Sequence, residues 1–258
     1  MSLRSIDPDD YQTVPRPLAA MPKQYPAGYV LLPHLHPRAQ LTYARSGTMT
    51  ITTVTGIWVV PPQRAVWIPA ETEHSIAMTS PVEMVGIYIE PAAAPHLPQT
   101  ACVIAVSRLL RELILEASGL PVLYDETGRD GRVMALILDE VRALPALPLH
   151  LPRPRDARLV RLCDELAAKP ASNRDLTGWS AEIGASSRNI ERLFAKETGM
   201  SFGAWRRQAL LLASLSRLAA GEPVTTVALD LGYDSPSAFT AMFRRTLGVT
   251  PSRYFAAG

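Results

Sequence analysis

The sequence predicts a chain of two domains. The first is an all-β N-terminal barrel or sandwich followed by a helical segment, and the second is an all-α C-terminal domain built on two helix-turn-helix units. Three observations carry this reading. Short runs rich in Val, Ile, Thr, Tyr and Trp, cut by Pro and Gly, fill the stretch from Pro26 to Glu90, as in "TMTITTVTGIWVVPPQRAVWIP" and "VEMVGIYIE". Beyond a proline-rich stretch at residues 145–156, every segment reads as helix. Within that helical part, one pattern punctuated by glycine occurs twice. A length of 258 residues suffices for two separate cores.

Taken in order, the N-terminal "MSLRSIDPDDYQTVPRP" has acids and prolines where a signal peptide needs an apolar run. Nowhere do about 18 apolar residues run together. The sequence therefore predicts neither secretion nor contact with a membrane. Cys102 and Cys163 fall in segments that read as helices, with no CxxC or zinc spacing around them, so free thiols in a reducing cytoplasm are expected.

Residues 1–99 form the β domain, since short strands at regular spacing suggest a small barrel or sandwich, and "PAAAPHLPQ" ends it. Residues 100–145 are expected to form two helices. Val106, Leu110, Leu113 and Ala117 are spaced 4, 3, 4 along the first, and Val133, Ile137, Val141 and Leu144 make a similar stripe on the second. Such stripes pack on the barrel or meet their own copy across a two-fold axis, and the second option makes this segment the seam of a homodimer. "PALPLHLPRPRD", with four prolines in twelve residues, reads as an extended linker, placed at 146–155, and the C-terminal domain occupies 156–258.

Charge divides unevenly between these parts. Residues 1–153 carry 12 Lys and Arg against 14 Asp and Glu, a balance of −2, whereas residues 154–258 carry 14 against 10, a balance of +4. The surplus positive charge lies where a nucleic-acid partner favours it.

The repeat decides the class. Gly184 is followed by nine residues, then Phe194, four more, Gly199, one more and Ser201; Gly232 is followed by ten, then Phe243, four, Gly248, one and Thr250. Each unit is a short helix, a turn opened by glycine, a polar cap (Ser186; Asp234 or Ser235) and a second helix. In the first copy Ile190, Leu193 and Phe194 turn inward, leaving Ser187, Arg188, Glu191, Arg192 and Lys196 as the candidate DNA-reading face. In the second, Phe239, Phe243 and Leu247 turn inward and leave Ser237, Thr240, Ala241, Arg244 and Arg245. A polar face with arginines on a helix held out by such a turn suits the major groove of double-stranded DNA. The stretch between the two, Phe202 to Ala220, spans roughly 28 Å as one helix, close to the ~34 Å of one DNA turn. The two second helices can then enter successive grooves.

From "GMSFGAWRRQALLLASLSRLAAGEPVTTVALDLGYDSPSAFTAMFRRTLGVTPSRYF", above all "GYDSPSAF" and "FRRTLGVTPSRY", the chain resembles the C-terminal domain of AraC/XylS-type transcription regulators over about 100 residues. The resemblance implies a seven-helix domain that binds operator DNA near a promoter, commonly as an activator, with RNA polymerase as a further partner. Two positions depart from the pattern. Leu210, in the connecting helix, stands where many relatives carry arginine, so any salt bridge or phosphate contact made there is expected to be absent; Ala241 stands where relatives often carry arginine, so the second reading helix is expected to hold the DNA backbone more than bases.

The N-terminal part carries a second resemblance. Gly28-x5-His34-x-His36-x3-Gln40-x6-Gly47 is similar to the first cupin motif, and Pro69-x-Glu71-x2-His74 to the second, with Glu71 in place of its glycine and Met78 in place of its asparagine. His34 and His36 lie two apart on a predicted strand and so face one side, where His74 can meet them. Three neutral imidazoles suit a divalent transition metal. Gln40 stands where metal-binding cupins usually have glutamate, and is the candidate fourth group. Three readings compete: a metal held by His34, His36 and His74 with Gln40, a metal-free pocket in which these residues bind an organic effector, and core histidines with no ligand. Tyr43, Trp58, Trp67 and Tyr88 are candidate pocket walls.

The function these features favour is a one-component transcription regulator whose cupin-like domain senses a small molecule or metal. No separate acid, base or nucleophile presents itself beside the histidines, so catalysis is not expected. The alternatives are a dioxygenase-like cupin metalloenzyme with a helical appendage, and a constitutive DNA-binding protein whose barrel only dimerises.

Overall fold

The computed structural model describes residues 5, 7–62, 64–141, 149–172 and 174–256. The β region contains β1 (Leu18–Tyr25), β2 (Val30–His34), β3 (Ala39–Ser46), β4 (Met49–Thr53), β5 (Gly56–Val60), β6 (Ala65–Ile68), β7 (His74–Met78), β8 (Val82–Ile89) and β9 (Cys102–Ile104). Helices α1 (Arg108–Ala117) and α2 (Arg129–Glu140) follow, then β10 (His150–Pro152). The remainder is helical: α3 (Ala157–Ala168), α4 (Leu176–Ile183), α5 (Ser187–Thr198), α6 (Phe202–Ala219), α7 (Val224–Asp230), α8 (Pro236–Leu247) and α9 (Pro251–Ala256). The chain divides into two compact units, Met1–Thr53 with Val60–Leu147, and Val54–Val59 with Pro148–Gly258.

In the first unit one antiparallel sheet runs β1-β8-β3-β6-β9, and in a second sheet β7 lies between β4 and β2. The β domain is thus a sandwich of two sheets rather than one continuous barrel wall. Alternation along β3 turns Ala39, Leu41 and Tyr43 to one face and Gln40 and Thr42 to the other. The first face joins Trp67, Ile87 and Ile89 in a cluster completed by Leu110, Leu113, Ile114 and Ala117 of α1 and by Val133, Met134 and Ile137 of α2.

The 4, 3, 4 stripe is accordingly buried inside its own chain. Leu110 and Ala117 are fully covered, and Val106 packs at the margin. The two-fold seam expected along this stripe is therefore not its role, because the sheet of the same chain already covers it. Leu144, the last residue of the second stripe, lies outside the described residues. Cys102 corrects another expectation. It sits in β9, paired with Trp67, and the helix begins only at Arg108, where Ser107 caps α1 by accepting from the Leu110 amide at 3.0 Å.

The second unit begins with a β pair where the sequence suggested only a linker: His150, Leu151 and Pro152 of β10 pair antiparallel with Trp58, Ile57 and Gly56. Pro152 adds an anchor, since its carbonyl accepts from the buried Trp205 indole at 2.8 Å. Around Trp205, Phe194 and Phe202 meet edge to face. Phe239, Phe243 and Tyr254 form a second aromatic cluster under α8. Among the described residues, no helix is long and apolar enough to cross a membrane.

Candidate functional site

The two helix-turn-helix units form as the punctuation dictates. α4 ends at Gly184, which takes a left-handed φ of 68°, and Gly232 after α7 takes 80°. A Cβ at either position strains the turn, which is why glycine opens both. Ser186 then caps α5 by accepting from the Asn189 amide, and Ser235, not Asp234, caps α8 by accepting from Ala238 at 3.1 Å.

On α5 the aromatic and aliphatic side, Ile190 and Phe194, is buried, and Arg188, Arg192, Ala195 and Lys196 stand exposed. Neither Arg188 nor Arg192 has an ion-pair partner among the described residues, so both guanidinium forks are available to a ligand. Two other residues of the candidate face are otherwise engaged. Glu191 accepts from the Phe202 amide at 3.2 Å and so caps the start of α6, and the Ser187 hydroxyl lies 2.8 Å from that of Ser180. Glu191 is thus a support of the next helix, which satisfies its carboxylate inside the domain.

On α8, Phe239 and Phe243 are buried while Ser237, Ala241, Arg244 and Arg245 are exposed and Thr240 is half-buried. A further cation, which the sequence reading did not single out, lies near α8: Arg207. This exposed residue of α6 shares with Arg245 the lining of an open cleft of about 560 Å³ between α6 and α8. Its signal was present in the helix spacing, because Arg207 lies off the buried stripe of Trp205, Ala209 and Leu212.

The second candidate site lies in the β sandwich. His34 ends β2, His74 opens β7, and the two are direct partners in the register. His36 lies beyond the strand, in the turn before β3, so the expected strand alternation does not place it. What does is a pair of backbone contacts. Its own carbonyl accepts from the Glu71 amide at 3.0 Å, and its Nδ1 donates to the Arg38 carbonyl at 2.6 Å. Glu71 has a φ of 56°, the one non-glycine residue with positive φ among those described. Such a φ suits the glycine that the cupin resemblance led one to expect at this position, and here a glutamate adopts it.

All three rings come together. Ring centroids are 4.3 Å apart for His34 and His74, 5.1 Å for His36 and His74, and 6.0 Å for His34 and His36. One nitrogen from each lies within 4.8 Å of the others. Each ring is oriented by its Nδ1, which donates to a backbone carbonyl: Leu32 for His34, Arg38 for His36 and Thr72 for His74. That leaves each Nε2 as the acceptor nitrogen, the arrangement in which imidazole binds a cation. His74 Nε2 is buried with no partner. His36 Nε2 lies 3.2 Å from Gln40 Oε1, so two lone-pair atoms face each other, and such a pair needs a flipped amide or a shared cation.

Burial lowers the His36 pKa and pushes that of His74 down to about 4, the carbonyl bonds and neighbouring imidazoles acting as smaller influences. Both rings are neutral at pH 7, as ligation requires. The donor set thus fits a divalent metal, with side-chain movements of about an ångström to bring the nitrogens to ~2.1 Å from one ion.

Of the four aromatic residues read as pocket walls, one lies at this site. Tyr88 meets His36 edge to face at 5.2 Å. Tyr43 and Trp67 instead belong to the face under α1 and α2, and the Trp67 indole donates to the Pro98 carbonyl. Trp58 is stacked on His150 at 4.4 Å. These three rings are core because the strands' alternation sends them away from Gln40, or because a neighbouring ring already covers them.

Comparison with known proteins places both regions. Residues 23–146 match the family described as AraC-like ligand binding domain, and residues 179–257 match a helix-turn-helix domain family. Over 223 residues the chain is 39% identical to the HTH-type transcriptional regulator NimR of Escherichia coli K12, covering 86% of this chain and 81% of that protein. It is 29% identical over 138 residues to the arabinose operon regulatory protein of the same organism, covering 50% of this chain and 46% of the other. Among solved structures, ToxT from Vibrio cholerae aligns over 93% of this chain and 98% of its own, with a TM-score of 0.39 at 11% identity.

Proposed function

The chain belongs to the AraC/XylS family of DNA-binding transcription regulators, and from that premise we propose that it is a one-component switch in which a metal-loaded histidine cluster governs operator binding. It is a transcription regulator with an N-terminal ligand-binding domain, and its relatives are regulators rather than enzymes. The observation that carries the DNA-binding role is the pair of capped helices α5 and α8, each with buried aromatic residues beneath and unpaired arginines outside. Arg188, Arg192, Arg244 and Arg245 then contact operator DNA, the first pair in the major groove, and Lys196 contacts phosphate. A gel shift with DNA fragments selected from a random pool tests this; absence of any preferred sequence would overturn it.

The metal reading is supported by three imidazoles that each offer a nitrogen within 4.8 Å of the others, with Gln40 beside His36. His34, His36, His74 and Gln40 hold the ion, which supplies a Lewis-acid centre for an effector. The carbonyls of Leu32, Arg38 and Thr72 fix the tautomers. We place the regulator in the cytoplasm as a homodimer at its operator, with RNA polymerase as its target. The dimer surface in this proposal is the outward side of the helical pair, which bears the exposed Leu109 and Leu136, since the inward stripe is occupied. Metal analysis of untagged protein, with reporter output from wild type and His36→Ala compared across added metals, tests the sensor. Stoichiometric metal lost in the variant, together with the loss of the response, is expected. Identical responses from the two proteins would refute it.

A further inference from the structure

We infer that the effector captured at the histidine cluster is a small oxyanion, such as a carboxylate, and not a neutral molecule. The inference rests on the metal reading above and follows from its charge. Among the described residues, the cluster that could hold an ion contains histidines alone, with no carboxylate in the group. Each ring keeps its proton on Nδ1 through a carbonyl bond and is therefore a neutral ligand, as is the amide of Gln40. A divalent ion here retains its full double charge.

The surroundings do not neutralise it. His36, Gln40 and His74 are 5%, 2% and 1% exposed, so the charge lies largely out of water. The turn that holds His36 carries a buried cation. Arg38, whose carbonyl orients His36, is itself 2% exposed and binds the carbonyls of Gln12, Val14 and Arg16. Glu90 lies 3.3 Å from that guanidinium and is thereby matched to it, while Glu71 and Glu73 are exposed. An uncompensated double charge in such a place is costly, and an anion bound to the ion removes that cost where a neutral ligand does not.

A second observation indicates where the anion's other oxygen goes. Thr42 lies two residues beyond Gln40 on β3, on the same face, and its hydroxyl is fully buried with no partner. It is a donor awaiting an acceptor. The Tyr88 ring, edge to face with His36, supplies an apolar wall at the cluster. Half-buried His34, at the end of β2, marks the side of entry.

Untagged protein stripped of metal and loaded with Co²⁺ gives a visible absorption band that reports on the ion's ligands. The expected result is a saturable change on adding acetate, a weaker one with phosphate, which has no apolar end to meet the Tyr88 ring, and none with acetamide. Gln40→Glu brings its own carboxylate and should weaken the acetate response about ten-fold or more while binding Co²⁺ at least as tightly. Thr42→Val should weaken acetate about ten-fold and leave Co²⁺ affinity alone. Failure of the wild type to take up Co²⁺ would overturn the metal reading and this inference with it. Uptake with no acetate response, or with acetamide acting as well as acetate, would overturn the inference alone and needs no variant. A phosphate response stronger than that of acetate would keep the oxyanion but assign it to an inorganic source.

Discussion

Arg192 and Glu191 are adjacent on α5, and the proposed function gives them opposite work, so replacing each by alanine separates DNA reading from support. Arg192 is exposed and unpaired, whereas Glu191 accepts the Phe202 amide at the start of α6. A bidentate contact from arginine to guanine is worth about 1–3 kcal/mol of discrimination, so Arg192→Ala should weaken binding to the selected operator roughly ten- to hundred-fold. It removes no internal bond and puts a better helix former on an exposed helix face, so the melting temperature should stay within about a degree. Loss of the Glu191 cap should cost about 1–2 kcal/mol of stability, roughly 4 °C per kcal/mol for a unit of this size, with base preference retained. Fluorescence anisotropy against operator and against a scrambled duplex, with parallel thermal melts, reads both effects. If Glu191→Ala abolished base preference at unchanged stability while Arg192→Ala did neither, the orientation of α5 would be wrong.

Three further outcomes follow from particular contacts. Leu110→Ala opens a fully buried position between α1 and the sheet and should cost about 2–5 kcal/mol, against about 0.5 or less for the exposed Leu123→Ala; a urea midpoint unchanged by Leu110→Ala would mean that α1 does not cover this sheet. Glu71→Gly should stabilise the protein by about 0.5–1 kcal/mol, since glycine adopts φ 56° without the penalty that a Cβ carries, and thermal melts in which Glu71→Ala gained as much would contradict this. Burial lowers the His150 pKa below its ordinary 6.5, so the unfolded chain binds a proton there that the native state does not. Stability should therefore fall as pH drops below about 6.5, until the lowered native pKa is reached, by up to about 1.4 kcal/mol per pH unit from this residue. His150→Asn should flatten that slope, leaving only the part due to the other buried imidazoles, and denaturant titrations from pH 7 to 5 with identical slopes would discount it.

The helical unit was legible because its boundaries are set by local chemistry. Gly184, Gly199 and Gly248 take left-handed backbone, and Ser186, Ser201 and Ser235 bind the amides that follow them, so each helix begins and ends near where its punctuation falls. The role of Glu191 was not legible, for the opposite reason. Its partner, the Phe202 amide, lies eleven residues away across a turn, and periodicity along one helix carries no information about the next. The same limit hid the covering of α1. A 4, 3, 4 stripe states that something apolar lies against it, and nothing in its spacing distinguishes a sheet of the same chain from a second copy. β9 was missed because three apolar residues, Cys102 to Ile104, read equally well as the first turn of the helix that starts at Arg108.

The histidine cluster is the more instructive case, because parity along one strand already divided its neighbours. Gln40 and Thr42 are two apart and share a face; Tyr43 is three from Gln40 and belongs to the other. Tyr88 is the register partner of Gln40, and paired residues project to the same side, so Tyr88 belongs with the site. Trp67 pairs with Leu41 and follows it to the face under the helices. The sequence shows this parity for residues within β3, but the pairings that extend it to β6 and β8 exist only once the sheet has formed. For His36 even the strand argument fails, since the residue lies in a turn held by Glu71 and Arg38. A glutamate strained into left-handed φ, its amide bound to the carbonyl of a buried histidine, marks a place where the position of a side chain is held at the expense of stability.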